Sequence, residues 1–408
     1  MKKRLALLLT LLLALGASPA RAQTEITLLH GWGTMENAHV AMRQIYEGFM
    51  QAYPDVKLTL VSLPDTEQAL AKAGDMLSVG EAPDLLFTAG VNSAVTDFMI
   101  GKGYGLNLAP YLEADEAFRQ SVSPLTLRTW TTEDGALYTL ADVLWLNGLW
   151  QNDTLLAQAG VKGALRTWDD FFAACDQIVA WSERTGRDVR PVALTLEDTG
   201  NLLELISEGL EPEGTLADAA RLADALAVLK RLYGYAGKES LGYQYRDTLS
   251  LFNQGRTVFY VNGIWASGLI DPNVNASCAA YPGEQGTVSG QSALCGYVLG
   301  NTGDKERMAA SVAFVKYMLA QTTQTRLLTL TGQFPSSPLL DFSTIEEVTP
   351  RFLGAVEAIR GAELCTDTLG LYYSETQTAQ LVATLRDYLT DRCDVEEAVR
   401  RIRAIDHR

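Results

Sequence analysis

The sequence predicts an α/β protein of two or three domains built on parallel, doubly wound sheets. Three observations predict it. Strand patterns alternate with helix patterns from the start, as a parallel α/β sheet requires. The chain of 408 residues is long enough for more than one full-sized core. No internal repeat, low-complexity tract or long linker divides it, so the chain is expected to pass between domains more than once.

Glu25-Ile26-Thr27-Leu28-Leu29 reads as the first strand, followed by a loop at His30-Gly31-Trp32-Gly33. Met42, Ile45, Phe49 and Tyr53 then recur at helical spacing, and Pro54 stops the helix. Val56–Val61 is a second strand, Ala69–Leu77 a helix, and Pro83–Phe87 a short apolar strand. Ligands of such sheets sit beyond the carboxyl ends of the strands, where the Trp32 and Thr88 loops lie.

The middle is more helical. Thr167, with Asp170 three residues on, forms a capping-box pattern ahead of a stripe of Phe171, Cys175 and Ile178. Val192–Leu196 is another strand, and Leu222, Leu226 and Leu229 mark a helix. Late helices are expected through Met308, Val312, Val315 and Leu319, and after Asp394. Thr257–Val261 is a β-rich run that halts at Asn262-Gly263, with Trp265 just beyond.

The first 22 residues read as an export signal. Met1-Lys2-Lys3-Arg4 is a positive start, Leu5–Leu15 an apolar core too short to span a bilayer, and Ala20-Arg21-Ala22 a small-x-small cleavage site. Cleavage there would leave 386 residues starting at Gln23, exported and soluble. No Cys follows the site, so no lipid anchor is expected. Losing the leader's four basic residues would take the formal charge from −16 to −20. So acidic a chain is repelled by nucleic acid and anionic lipid.

Five cysteines in an oxidising compartment invite disulfides. Cys278 and Cys295 flank a glycine-containing loop and form the first expected pair, with Cys365–Cys393 second. Cys175, on an apolar helical stripe, reads as a buried free thiol.

Enzyme signatures are missing. The three histidines, His30, His39 and His407, show no metal-ligand spacing, and there is no His-Glu-x-x-His, Gly-x-Ser-x-Gly, Cys-x-x-Cys or Gly-x-Gly-x-x-Gly. No cofactor is expected. A carboxylate pair of the glycosidase kind is seen in space rather than in sequence, so an exported hydrolase stays as the alternative of another class. Aromatic residues near strand ends are the better clue: Trp32, Trp145, Trp265, Tyr372 and Tyr373. A flat ring covers the C–H face of a sugar while nearby polar groups bond its hydroxyls. The competing reading of each aromatic is ordinary core packing.

The order and spacing of several motifs resemble those of the extracellular solute-binding proteins of ABC importers, in the group that includes maltodextrin-binding proteins. "FMQAYPDVKLTLV" is similar to the family's Phe-x-x-x-x-Pro followed by a strand, and "APDLLF" to its Pro-Asp strand. "GALYTLADVLWLNGLWQNDTLLAQAGV" resembles the segment that first crosses between lobes, and "RTWDDFFAAC" the Thr-Trp-Asp helix start. "LFNQGRTVFYVNGIW" is similar to Phe-x-x-Gly-x-x-x-Met-x-x-x-Gly-x-Trp, and "GQFPSS" to a late Gly-x-x-Pro-Ser. Departures are Ala141 where Pro is usual, Val258-Phe259 for a small-Met pair, and Trp150-Gln151-Asn152 for Tyr-Tyr-Asn.

The resemblance implies a type II periplasmic-binding-protein fold: two lobes, each a doubly wound sheet flanked by helices, joined by hinge crossings. It implies crossings near Ala141–Leu149, Leu294–Asn301 and Gln333–Pro338. The lobes would be 23–143 plus 296–335, and 144–295 plus 336–408. A sugar or oligosaccharide would bind in the cleft without being transformed and pass to the permease's membrane subunits, from a monomeric receptor. A ferric ion, polyamine or polyol phosphate is the alternative ligand. Trp265 is expected to stack on the ligand. Trp32, Thr34, Thr88, Asn92, Asp142, Trp145, Asp198, Asn201, Gly263, Tyr372 and Tyr373 are the other candidates, each polar one with a turn or cap role as its competing reading.

Overall fold

A computed structural model describes residues 23–88, 93–196, 198–207, 218–293, 296–367 and 373–405. The proposed leader, Asn92, Cys295 and Tyr372 lie outside the described residues.

Two sheets organise the chain. The first has strand order β2-β1-β3-β11-β4, from β1 (Thr24–His30), β2 (Val56–Ser62), β3 (Leu85–Phe87), β4 (Thr139–Ala141) and β11 (Gly296–Leu299). The second has the order β13-β10-β5-β7-β6, from β5 (Val143–Asn152), β6 (Arg190–Ala193), β7 (Thr257–Gly263), β10 (Thr287–Ser292) and β13 (Leu364–Asp367). Onto its path β8 (Ala276–Ala279) and β12 (Phe334–Pro335) pair with β5, and β9 (Tyr281–Pro282) pairs with β10. This is the two-lobed α/β architecture that the family resemblance implies.

Both sheets are covered on both faces, which explains their continuous apolar runs. In β1, Ile26 and Leu28 pack with Met42, Ile45 and Phe49 of α1 (Asn37–Ala52), while Leu29 packs with Leu70 and Ala73 of α2 (Thr66–Ser78) on the opposite face. In the second sheet, Leu149, Phe259 and Val261 meet Phe171 and Ile178 of α3 (Trp168–Thr185). Leu146, Trp150 and Tyr260 point the other way, into a core with Phe252 and Ile359. The Thr167–Asp170 capping box opens α3. Cys175 is a buried free thiol on its inner stripe.

Neither sheet is purely parallel, a departure from the expected pattern. β1, β2 and β3 run parallel, but β11 is antiparallel to β3 and β4. In the second sheet β6 and β7 are parallel, and β5 is antiparallel to β7 and β10. The reason is the route of the chain. β5 and β11 are the strands that arrive from the other sheet, so they enter their new sheet at its far end and run against their neighbours.

The expected disulfides are not formed. Cys278 is a free, buried thiol. It sits mid-strand in β8 opposite Trp150, with its sulfur over Gly148 and Ile359, where a Cβ on Gly148 would approach to 2.5 and 3.0 Å. Spacing suggested a loop-flanking pair, but strand register turned the side chain into the core. Cys393 is also free, so the Cys365–Cys393 pair is absent as well.

Between β4 and β5 the chain leaves the first sheet for the second with a single residue, Asp142. Its carbonyl accepts from the Ser336 amide at 3.0 Å and from Gln324 Nε2 at 3.0 Å. The neighbouring Ala141 carbonyl accepts from Ser336 Oγ at 2.7 Å, and Gln324 Oε1 accepts from the Ser337 amide at 2.9 Å. Asp142 itself is 1% exposed. Its Oδ2 accepts from the Tyr297 hydroxyl at 2.7 Å, and its Oδ1 is buried without a hydrogen-bond partner. Burial pushes this carboxyl up to about 7, although the Tyr297 bond pulls the other way.

A raised folded-state pKa means that the native protein holds a proton the unfolded chain has released. Stability from this group is therefore full below about pH 4 and is lost as the pH rises to about 7, at up to about 1.4 kcal/mol per unit. Asp142→Asn keeps the shape and an acceptor for Tyr297 but cannot ionise. Urea unfolding of both proteins should show the variant gaining on the wild type as pH rises from 4 to 7. A stability difference that does not change with pH would contradict this account of Asp142.

Candidate functional site at the junction of the sheets

The β7 strand ends at Gly263 and a short 3-10 turn, Ile264–Gly268, follows. The indole of Trp265 folds back over Gly263, and a Cβ at 263 would collide with the ring, 2.0–2.4 Å from three of its carbons. Glycine is thus what lets the Trp lie flat against the strand end. The Gly263 carbonyl accepts from Trp150 Nε1 at 2.9 Å, fixing this end of β7 to buried Trp150. Trp265 Nε1 donates to the Tyr245 hydroxyl at 3.2 Å, and the ring stays partly exposed.

Trp145 stands beside it. Asn147 pairs with Gly263 across β5 and β7, which puts the start of β5 next to the end of β7. The Trp145 and Trp265 rings lie 6.0 Å apart, tilted by 52°. Trp145 also packs against the core of the first sheet, so one half-buried side chain touches both bodies.

On the first-sheet side, Trp32 occupies the loop after β1. Its ring meets His39 edge-on at 5.0 Å and Phe87 at 5.4 Å. Gly31 and Gly33 allow this loop to lie against the backbone of Leu63–Thr66, with Gly33 N–H donating to the Leu63 carbonyl at 2.8 Å. Arg43 Nη1 donates to the carbonyls of Trp32 and Thr34. Thr34 Oγ1 accepts from the Glu36 amide at 3.3 Å and bonds His39 Nδ1 at 2.8 Å. His30 is buried; its Nδ1 accepts from the Trp32 amide at 3.0 Å, which leaves Nε2 to donate to Ser62 Oγ at 3.1 Å. Burial, then the nearby Arg43 and His39, lower its pKa to about 4, so the ring is neutral at pH 7 and works as a brace for the Trp32 loop.

Ring contacts continue inward from Trp32 through Phe87 to Tyr297 (5.3 Å), whose hydroxyl holds Asp142. The crossing and the aromatic surface are therefore one packed unit.

The other expected residues are placed differently. Thr88 is buried, and its amide and hydroxyl both donate to the Gly296 carbonyl, tying β3 to β11. Asp198 Oδ2 accepts from the amide and hydroxyl of Thr195 at 2.9 and 2.8 Å, a turn-closing role. Asn201 is exposed on the helix Thr199–Ile206. Asp142 is sealed in the crossing. Tyr373 is 2% exposed inside the second core, with its phenol pushed up to about 12 by burial and by Glu204. It presents no face at a surface. Tyr245, which orients Trp265, was not foreseen; its only sequence signal is an aromatic at a helix start, Tyr245–Asn253.

A shallow, open groove of about 670 Å³ lies elsewhere, lined by Lys230, Tyr388, Asp391, Cys393, Glu397 and Arg401 among others. Its charges pair with one another, Lys230 with Asp391 and Arg401 with Glu397. None of the junction residues lines it. No group of acidic, His or Cys side chains able to hold a metal occurs among the described residues, and none of their helices is long and apolar enough to cross a membrane.

Comparison with known proteins places this geometry. The family model described as bacterial extracellular solute-binding protein matches residues 44–341. No curated protein matches the sequence significantly. Among solved structures, a Streptococcus pneumoniae solute-binding protein in complex with the blood group A-trisaccharide is 21% identical, with a TM-score of 0.76 over 93% of this chain and 98% of that one. A chitin oligosaccharide binding protein is also 21% identical, with a TM-score of 0.76 over 93% and 97%. A maltose-bound protein of T. maritima is 19% identical, with a TM-score of 0.72 over 93% and 98%. At these identities the likeness is one of fold. With the family match covering most of its length, this chain belongs to the bacterial extracellular solute-binding proteins.

Proposed function

We propose that this protein is the substrate-binding component of an ABC importer, and that it captures a sugar or oligosaccharide at the junction of its two lobes. The observation that carries the reading is the Trp145–Trp265 pair, partly exposed where the sheets meet. Tilted indoles offer flat apolar faces for the C–H surfaces of successive sugar rings. The names of similar structures, one in complex with a blood group trisaccharide, one a chitin oligosaccharide binding protein and one maltose-bound, support that solute class. The protein holds its ligand and hands it, unaltered, to the membrane subunits of the permease.

The lobes are 23–143 plus 296–335, and 144–295 plus 336–408, with Asp142 in the first hinge crossing. Ligand that touches both lobes only when they are closed favours the closed state by that difference in affinity. Cleavage after Ala22 would release a monomeric protein without a lipid anchor.

A panel of mono- and oligosaccharides read by thermal shift tests this. A true ligand at ~100 times its dissociation constant should add about 2.7 kcal/mol of stability. No shift across a broad panel would overturn the sugar assignment, and new reducing ends on incubation would favour hydrolysis. With the ligand found, Trp265→Ala should cost about 2 kcal/mol or more of binding by calorimetry. Gly263→Ala should weaken binding in the same direction by displacing the indole, with the far-ultraviolet dichroism unchanged. Unaltered affinity in both variants would return Trp265 to a packing role.

A further inference from the structure

An ion pair among the described residues spans the two bodies near the junction. Arg246 Nη2 lies 3.1 Å from Glu36 Oε1, between residues 210 positions apart. Glu36 ends the loop that carries Trp32 and precedes α1, which packs on the first sheet. Arg246 sits in the first turn of helix α4 (Tyr245–Asn253), which packs through Phe252 into the core beneath β7.

The placement of both side chains is unusual for their helices. Glu36 holds the N-cap position of α1, yet its carboxylate caps nothing. Arg246 puts a cation at the positive end of α4, where the helix dipole disfavours it. The contact gives each side chain a partner of opposite charge across the junction. Next to Arg246, Tyr245 accepts the Trp265 indole N–H. Next to Glu36, Met35 is 83% exposed. Thr34, two residues before Glu36, is held by Arg43 together with Trp32. The pair thus joins the loop carrying Trp32 directly to the helix that orients Trp265.

We propose that Glu36 and Arg246 form a clasp that sets how far the empty protein stands closed, and so how much binding free energy the solute must spend on closing it. The clasp contributes only in arrangements that bring its two halves, which sit on different lobes, within reach of each other as they are in this structure. Both side chains are well exposed, at 59% and 84%, so the effect is small and salt-sensitive. Breaking it should change the closed-to-open ratio about two- to fivefold.

The inference rests on the two-lobed fold and not on the identity of the solute, so the test uses the ligand-free protein. Small-angle scattering would compare wild type, Glu36→Gln, Arg246→Gln and the exchanged pair Glu36→Arg/Arg246→Glu, at low and high salt. Circular dichroism melts would confirm that each is folded, and the near-isosteric Glu36→Gln guards against a misfolded partner variant. The expected result is a larger radius of gyration for both single variants, insensitivity of those radii to salt, and recovery of compactness in the exchanged pair at low salt. Radii equal to wild type in both single variants would overturn the clasp. So would expansion that the exchanged pair fails to reverse, since that would place the effect in each residue separately.

Discussion

A one-residue crossing governs this molecule. The chain passes from β4 to β5 through Asp142 alone, and the carbonyl of that residue is held by Ser336, just after β12, and by Gln324 of the helix Gln321–Thr331 that precedes β12. Two passages of the chain, almost 200 residues apart, are therefore locked to each other. No flexible linker could do this: a loop of several residues would let the sheets drift, whereas two strands tied by backbone hydrogen bonds can only bend together. The carboxyl below this joint is sealed in with one phenol for company, which is why burial dominates its proton affinity.

The aromatic surface follows from the same joint. β5 leaves the crossing and within three residues delivers Trp145, against the first core and beside Trp265. Antiparallel pairing with β7 decides that Trp145 meets the end of that strand and not its start. At that end, Gly263 has no side chain to obstruct the indole, and Trp150 anchors its carbonyl from below. On the opposite side, neutral His30 and the glycines flanking Trp32 set the loop after β1. A surface at the edge of two sheets can be both fixed within each lobe and adjustable between them, which is what the proposed capture of a solute requires.

Much of this was legible in the sequence because local rules and tertiary packing agree. The capping box at Thr167, the β-rich run before Gly263 and the apolar spacing in α1 each have one local solution, and the fold uses it. Trp265 stands just beyond a strand-ending glycine, but the stacking role expected of it comes from the family resemblance, and its place beside Trp145 depends on the pairing of β5 with β7. What stayed hidden depends on long-range register. Cys278 faces the core because of its alignment with Trp150, and spacing from Cys295 carries no such information. Thr88 and Asp198 are polar residues at strand ends, and their bonds to Gly296 and Thr195 are contacts that the residue types alone do not reveal. Tyr373 looked like a loop aromatic and is part of the second core. The Glu36–Arg246 contact joins two exposed residues far apart in the chain, which no periodicity can reveal.

The most direct measurement is a crystal structure of the protein loaded with a retained oligosaccharide. The account predicts a sugar ring lying along the Trp265 indole, with contacts to residues of both sheets. A solute seated away from the junction, or one that leaves the Trp265 face uncovered, would contradict it.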